Sequence, residues 1–170
     1  MSFIRRLEPS DNRKNFSCGN DDLDRFFRRF AGQNQFRHHI GTTYIAVEGE
    51  EILGFVTVAA TQVESSALPE KRKKRFPYPI PALRLARLGV ATHVQGRKIG
   101  LSLLKTVFRI ATQMSNDVGC VGVVVDAKTE SVGFYRRYGF VEMDGISGGL
   151  GDRPQPVSMF LPLEDIPEEK

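Results

Sequence analysis

Cysteine is scarce and long apolar runs are missing. Only Cys18 and Cys120 occur in 170 residues. Two thiols make neither a disulfide framework nor a metal-ligand set, and they read as free thiols in a reducing compartment. No window approaches the roughly 20 apolar residues that a membrane helix needs, so no membrane association is expected. The opening "MSFIRRLEPSD" has charge with no apolar core behind it, so no secretory signal is expected. Internal repeats and low-complexity tracts are also missing. What remains is the pattern of a cytoplasmic globular chain, with 41% hydrophobic and 26% charged residues. One domain over 1–163 is expected, followed by an acidic tail over 164–170.

The charge that is present is uneven. The last seven residues carry Glu164, Asp165, Glu168 and Glu169 against Lys170, and without them the formal charge rises from +4 to +7. A basic body of this kind favours polyanionic partners, among them phosphate cofactors and nucleic acid.

Along the chain, "CGNDDLDRFFRRFAGQNQF" reads as a helix with Asn20 as N-cap and Asp21 and Asp22 in its first turn. Leu23, Phe26, Phe27, Phe30 and Ala31 fall at helical spacing and predict one buried stripe, with Arg25, Arg28 and Arg29 mostly off it. His38 and His39 read as its polar end. "TTYIAVE" and "EILGFVTVAA" predict an antiparallel hairpin around "EGEE". "TQVESSALPEKRKKRFPYPIP" holds four prolines and five consecutive cations, Lys71 to Arg75, and reads as a long loop without strand or helix. "ALRLARLGVA" resumes strand. "LSLLKTVFRIATQM" predicts a helix with Leu103, Leu104, Val107, Phe108, Ala111 and Met114 on its apolar face. "GCVGVVVDA" reads as a strand buried on both sides. "TESVGFYRRYGF" predicts a short helix closed by Gly139, and "FVEMD" and "PVSMFLPL" predict the last strands. The order gives a mixed α/β (α+β) fold with a partly antiparallel sheet flanked by helices, and a right-handed parallel crossover over about 83–126.

The stretch "VATHVQGRKIGLSLLK" passes from strand to helix through Gly96 and Gly100, with Arg97 and Lys98 between them. A helix start presents N–H groups without intrahelical partners and favours anions. Cations there oppose the helix dipole, and an anion between them would resolve the conflict. A solvated turn with a glycine for conformation is the alternative. The pattern is neither a Walker A loop nor Gly-x-Gly-x-x-Gly.

Taken in order, "LARLGV", "QGRKIG", "GVVVDA" and "FYRRYGF" resemble the GNAT superfamily of acetyl-CoA-dependent N-acetyltransferases, over roughly residues 40–145. The resemblance implies a GNAT fold whose central sheet is splayed at the cofactor site. It implies that Leu88, Gly89 and Val90 bond the pantetheine arm of acetyl-CoA. It implies that the amides of Gln95, Gly96, Arg97, Lys98, Ile99, Gly100 and Leu101 grip the pyrophosphate. It implies that Tyr135 is the general acid for the leaving thiolate, a task that suits a phenol with a pKa near 10. No metal is implied. Lys98 departs from the family, which usually has glycine there. Its amide serves if its φ stays negative; a left-handed φ would cost about 1 kcal/mol. The asparagine often seen before the tyrosine is also absent, with Lys128, Thr129 and Glu130 in that region.

A narrower resemblance lies outside those motifs. "FSCGNDDLDRFFRRFAGQNQ" and "YPIPALRLARLGV" are similar to GNAT toxins of bacterial toxin–antitoxin pairs. Those toxins acetylate the α-amino group of aminoacyl-tRNA, and their partner is usually a ribbon-helix-helix antitoxin. Two-fold dimers are common among them, so a homodimer is expected. Arg25, Arg28, Arg29, Lys71 to Arg75, Arg84, Arg87, Arg97 and Lys98 are candidate RNA contacts. "ALRLARLGVATHV" contains no carboxylate, so no obvious base stands on that strand. An α-amine, with a pKa of about 8, needs a base less than a lysine at about 10.4. His93, Glu64 or a water remain candidate bases. Acetylation of a small amine or a protein N-terminus, or CoA binding without catalysis, are the competing readings.

Overall fold

The computed structural model describes residues 2–68, 79–143 and 156–168. Its strands are β1 (Phe3–Arg6), β2 (Thr42–Glu48), β3 (Glu51–Val63), β4 (Ile80–Val90), β5 (Gly122–Ala127), β6 (Val141–Glu142) and β7 (Val157–Pro162). They form one open, mixed sheet in the order β1-β2-β3-β4-β5-β7-β6. The helices are α1 (Asp21–Arg25), a π-helical turn (Phe26–Phe30), α2 (Ala31–Phe36), α3 (Ile99–Asp117) and α4 (Val132–Arg137). Packing divides the chain into two units, Met1–Ala59 with Leu85–Arg109, and Ala60–Arg84 with Ile110–Lys170.

In the first unit the expected hairpin is present. β2 and β3 pair antiparallel, closed by Gly49 at φ 62. β1 adds an antiparallel edge strand that the sequence reading missed. The core is aromatic: Phe27 stacks on Phe55 with centroids 4.4 Å apart, and Phe16 meets both edge-on. Thr43 and Thr57 satisfy each other inside it with hydroxyl oxygens 2.7 Å apart.

Asn20 caps α1 as expected, its side chain accepting from the Leu23 amide at 3.0 Å. The single helical stripe is not observed. The Ala31 amide bonds the Phe26 carbonyl, five residues back, and this wide turn shifts the helical phase. Phe26 and Phe27 are buried, but Phe30 turns outward and is 42% exposed. His38 and His39 are exposed beyond α2.

In the second unit β7 pairs antiparallel with both β5 and β6. Leu68, Ile80, Ala82, Val124 and Phe160 form its core. The expected loop is shorter than the proline content suggested. β3 runs on to Val63, Ser65–Ala67 form a 3-10 turn, and β4 already includes Ile80 and Pro81. Pro81 is tolerated because its exposed ring needs no N–H at the strand's start, while its carbonyl accepts from Val121 at 2.9 Å. Lys71 to Arg75, Tyr78 and Asp144 lie outside the described residues.

Candidate active site

The first unit holds the glycine turn, fixed from several sides. The Ala91 amide bonds the Leu53 carbonyl at 2.8 Å, and the Thr92 amide bonds the Ser17 carbonyl at 3.0 Å. His93 pairs with Glu51. The Gln95 side-chain amide donates to the Val90 carbonyl at 3.1 Å and the Cys18 carbonyl at 3.2 Å. Gln95 was expected to act through its main-chain amide; its side chain also ties the turn to the end of β4.

Gly96 lies at φ 87 and Lys98 at φ 63, both left-handed. Of the two conformations weighed for Lys98, the left-handed one is therefore observed. Two left-handed residues bracket Arg97 and fold the chain back so that α3 can start. For lysine this geometry costs about 1–2 kcal/mol, because its Cβ crowds the following carbonyl. The first rung of α3 runs from the Ser102 amide to the Lys98 carbonyl at 3.1 Å. The amides of Ile99, Gly100 and Leu101 precede it, which leaves the donors an anion needs. Gln95, Gly96, Arg97 and Lys98 are exposed, Ile99 is buried, and Gly100 and Leu101 are half-buried. The Arg97 guanidinium stands 3.5 Å from Glu48.

Leu88 and Val90 are half-buried and Gly89 is buried. A Cβ at Gly89 would come within 2.9 Å of the Phe55 ring and 3.2 Å of the Cys18 sulfur. That glycine is thus required for packing, whatever else its backbone does.

The second unit holds Tyr135 on α4. The motif "YRRYGF" is a helix stop. The Gly139 amide bonds the Arg136 carbonyl at 3.1 Å and the Phe140 amide bonds the Tyr135 carbonyl at 3.2 Å, with Gly139 at φ 101. This is a Schellman cap, and its usual apolar contact is here the Tyr135–Phe140 ring pair. Phe134 packs edge-on against the same tyrosine at 5.1 Å. Tyr135 is only 6% exposed, and burial raises its pKa above the ordinary phenol value. Its hydroxyl has no hydrogen bond to the described residues, yet no sealed side-chain oxygen or nitrogen among them lacks a partner. The phenol is therefore enclosed, protonated at neutral pH, and its proton is not committed to any partner among the described residues.

Other chemistry is less well provided for. Burial first, then the Asp24 contact, pushes the Cys18 thiol up to about 11, and burial also raises Cys120. Neither is a thiolate nucleophile at neutral pH. Among the described residues no group of three or more His, Cys, Asp or Glu could hold a metal, and no helix is long and apolar enough to cross a membrane. Of the candidate bases, His93 is exposed and engaged by Glu51, and Glu64 is exposed just after β3. Several expected RNA contacts have other partners. Arg84 pairs with Asp126, Arg25 with Asp22 at 3.5 Å, and Arg87 lies 4.7 Å over the Phe26 ring.

Known proteins are similar to this chain along most of its length. A tRNA-acetylating toxin of Mycobacterium tuberculosis is 27% identical over 140 residues, covering 82% of this chain and 84% of the relative. The solved structure of AtaT complexed with acetyl-methionyl-tRNAfMet superimposes with a TM-score of 0.82 at 26% identity, covering 96% of each chain. That of AtaTR bound with AcCoA gives 0.77 at 27% identity, covering 96% of this chain and 94% of the other. The family model of the acetyltransferase (GNAT) domain matches residues 39–142, and the chain belongs to that family.

Proposed function

We propose that the protein is a translation-blocking toxin that moves the acetyl group of acetyl-CoA onto the α-amino group of an aminoacyl-tRNA. The observation that carries the catalytic half is Tyr135, an enclosed phenol whose hydroxyl has no hydrogen-bond partner among the described residues. The acceptor is supported by the likeness to a tRNA-acetylating toxin along most of both chains, and to AtaT, solved with acetyl-methionyl-tRNAfMet.

Acetyl-CoA supplies the activated thioester. On this reading the amides of Gln95 to Leu101 hold its pyrophosphate, apart from that of Arg97, which bonds the Val94 carbonyl at 3.3 Å, while Arg97 and Lys98 add charge. Leu88, Gly89 and Val90 offer backbone groups to the pantetheine arm, where the family's sheet splays. The acceptor amine attacks the thioester carbon with its lone pair. As the C–S bond breaks, Tyr135 gives its proton to the departing thiolate sulfur and regains one from solvent. The amine's surplus proton leaves to water, consistent with an α-amine that is substantially neutral already. The products are an N-acetyl-aminoacyl-tRNA and CoA.

The same reading makes the protein a cytoplasmic homodimer, restrained by an antitoxin of the ribbon-helix-helix kind. Incubating the pure protein with labelled acetyl-CoA and charged tRNA tests the activity. Label on the tRNA-borne amino acid supports the reading, and turnover confined to free amines or protein N-termini removes it.

A further inference from the structure

The loop before α1 and the π-helical turn line a cleft of about 520 Å³, formed by Asp11, Asn12, Arg13, Lys14, Arg28 and Arg29. None of the six belongs to the glycine turn or to α4. Four are cations, and the one acid is already engaged. Asp11 accepts from both terminal nitrogens of Arg5, at 2.9 and 2.7 Å, and from the Glu8 amide at 2.7 Å. Its charge still acts on Arg13, so the cleft sets four cations against one acid.

Two of the cations are held by main-chain oxygens rather than by carboxylates. Arg13 donates to the Phe27 carbonyl at 2.9 Å. Arg28 donates to the Phe16 carbonyl, through Nε at 2.9 Å and through Nη2 as well. Both carbonyls belong to the packed aromatic core, in which Phe16 and Phe27 are ring partners. Gly32 leaves room for the Arg13 guanidinium, since a Cβ there would lie 2.7 Å from Nη2. These guanidiniums are therefore oriented in advance without being neutralised, which lowers the entropic cost of meeting an anion. Lys14 and Arg29 are exposed, and neither side chain has a hydrogen bond or ion pair among the described residues.

We propose that this cleft docks the sugar–phosphate backbone of the tRNA substrate, with Arg13 and Arg28 as fixed donors and Lys14 and Arg29 as mobile ones. The assignment rests on the aminoacyl-tRNA reading and adds where the body of the RNA is held. Phosphate suits it better than a peptide or a lipid surface does. The lining holds four cations and no aromatic or branched aliphatic side chain, which suits a phosphate backbone, whereas peptide partners and membranes usually need such an anchor.

The test uses the full chain and deacylated tRNA, so that binding is read apart from acetyl transfer. Lys14→Glu, Arg29→Glu and the double variant are titrated with tRNA over a salt series, and with acetyl-CoA as a control. The double variant is expected to bind tRNA at least about 10-fold more weakly. Its slope of log affinity against log salt should fall by about 0.7–0.9 for each phosphate that the variant no longer neutralises. Acetyl-CoA affinity should not change. If the charge-reversed chains misfold, Lys14→Gln and Arg29→Gln are read on the same slope. An unchanged tRNA affinity and slope in the variants overturns the assignment, as does loss of binding to an acidic peptide with tRNA binding intact. If the wild type acetylates charged tRNA while the variants bind tRNA normally, the cleft assignment falls alone. A wild type that neither binds nor acetylates tRNA overturns both.

Discussion

The ring of Phe140 stands edge-on to that of Tyr135, with centroids 5.3 Å apart, and the Phe140 amide closes the helix on the Tyr135 carbonyl. The proposed acid is thus placed by the stop signal of its own helix. Gly139 makes the stop possible at φ 101, and a Cβ there would lie 3.1 Å from a Leu161 methyl. Gly139→Ala should cost at least about 1 kcal/mol. It should also lower kcat more than it raises the KM for acetyl-CoA, read from urea melts and steady-state rates on one preparation.

Removing the hydroxyl alone should separate chemistry from folding. Tyr135→Phe keeps the ring pair and discards a group that bonds nothing among the described residues. Its stability should stay within about 0.5 kcal/mol of wild type in thermal melts, while kcat falls by about 10²–10⁴. An unchanged kcat would remove Tyr135 from the mechanism.

The same hydroxyl should mark the alkaline limit of stability. Its pKa is raised by burial from the ordinary 10.0, so the folded chain holds this proton more tightly than the unfolded chain does. The contribution is fully present below pH 10 and is lost above it, at no more than about 1.4 kcal/mol per pH unit. Urea midpoints from pH 8.5 to 11 should therefore fall more steeply for wild type than for Tyr135→Phe.

Lys98 should show opposed effects on stability and binding. Lys98→Gly relieves the left-handed strain at φ 63, and the melting temperature should rise by about 2–4 °C for each kcal/mol recovered. The KM for acetyl-CoA should rise several-fold as the charge is removed. Lys98→Ala keeps the strain and removes the charge, so it should share the second effect and not the first.

Gly89 and Gly133 make a matched pair. An alanine at Gly89 would press on Phe55 and Cys18, whereas one at Gly133 meets nothing within 4 Å. Gly89→Ala should cost about 1–3 kcal/mol. Gly133→Ala, inside α4, should be neutral or stabilising by up to about 1 kcal/mol. Chemical denaturation of both variants checks the contrast.

Much of this molecule was legible because its signals are periodic or are punctuation. The apolar spacing of Leu103, Leu104, Val107, Phe108 and Ala111 gave α3, and all five are buried. Gly139 after "FYRRY" marked a helix end. Three features were hidden for physical reasons. "FIRR" is too short and too exposed to show the alternation of a strand. A π turn uses the same residues as an α turn, so only the outward Phe30 betrays it. The turn that carries the left-handed Lys98 is tethered at Ala91, Thr92, His93 and Gln95 by Leu53, Ser17, Glu51 and Cys18, far away in sequence, so its geometry is not written in the local residues. The side-chain role of Gln95 was hidden for the same reason.

The left-handed Lys98 also says something about how such a turn would be redesigned. A stability-guided redesign would place glycine there and register an improvement, and on the proposed reading would thereby delete a charge that serves the cofactor. Backbone strain at an exposed residue that glycine would relieve is a form of record: on the proposed reading it marks a position where folding and ligand binding make different demands of one side chain.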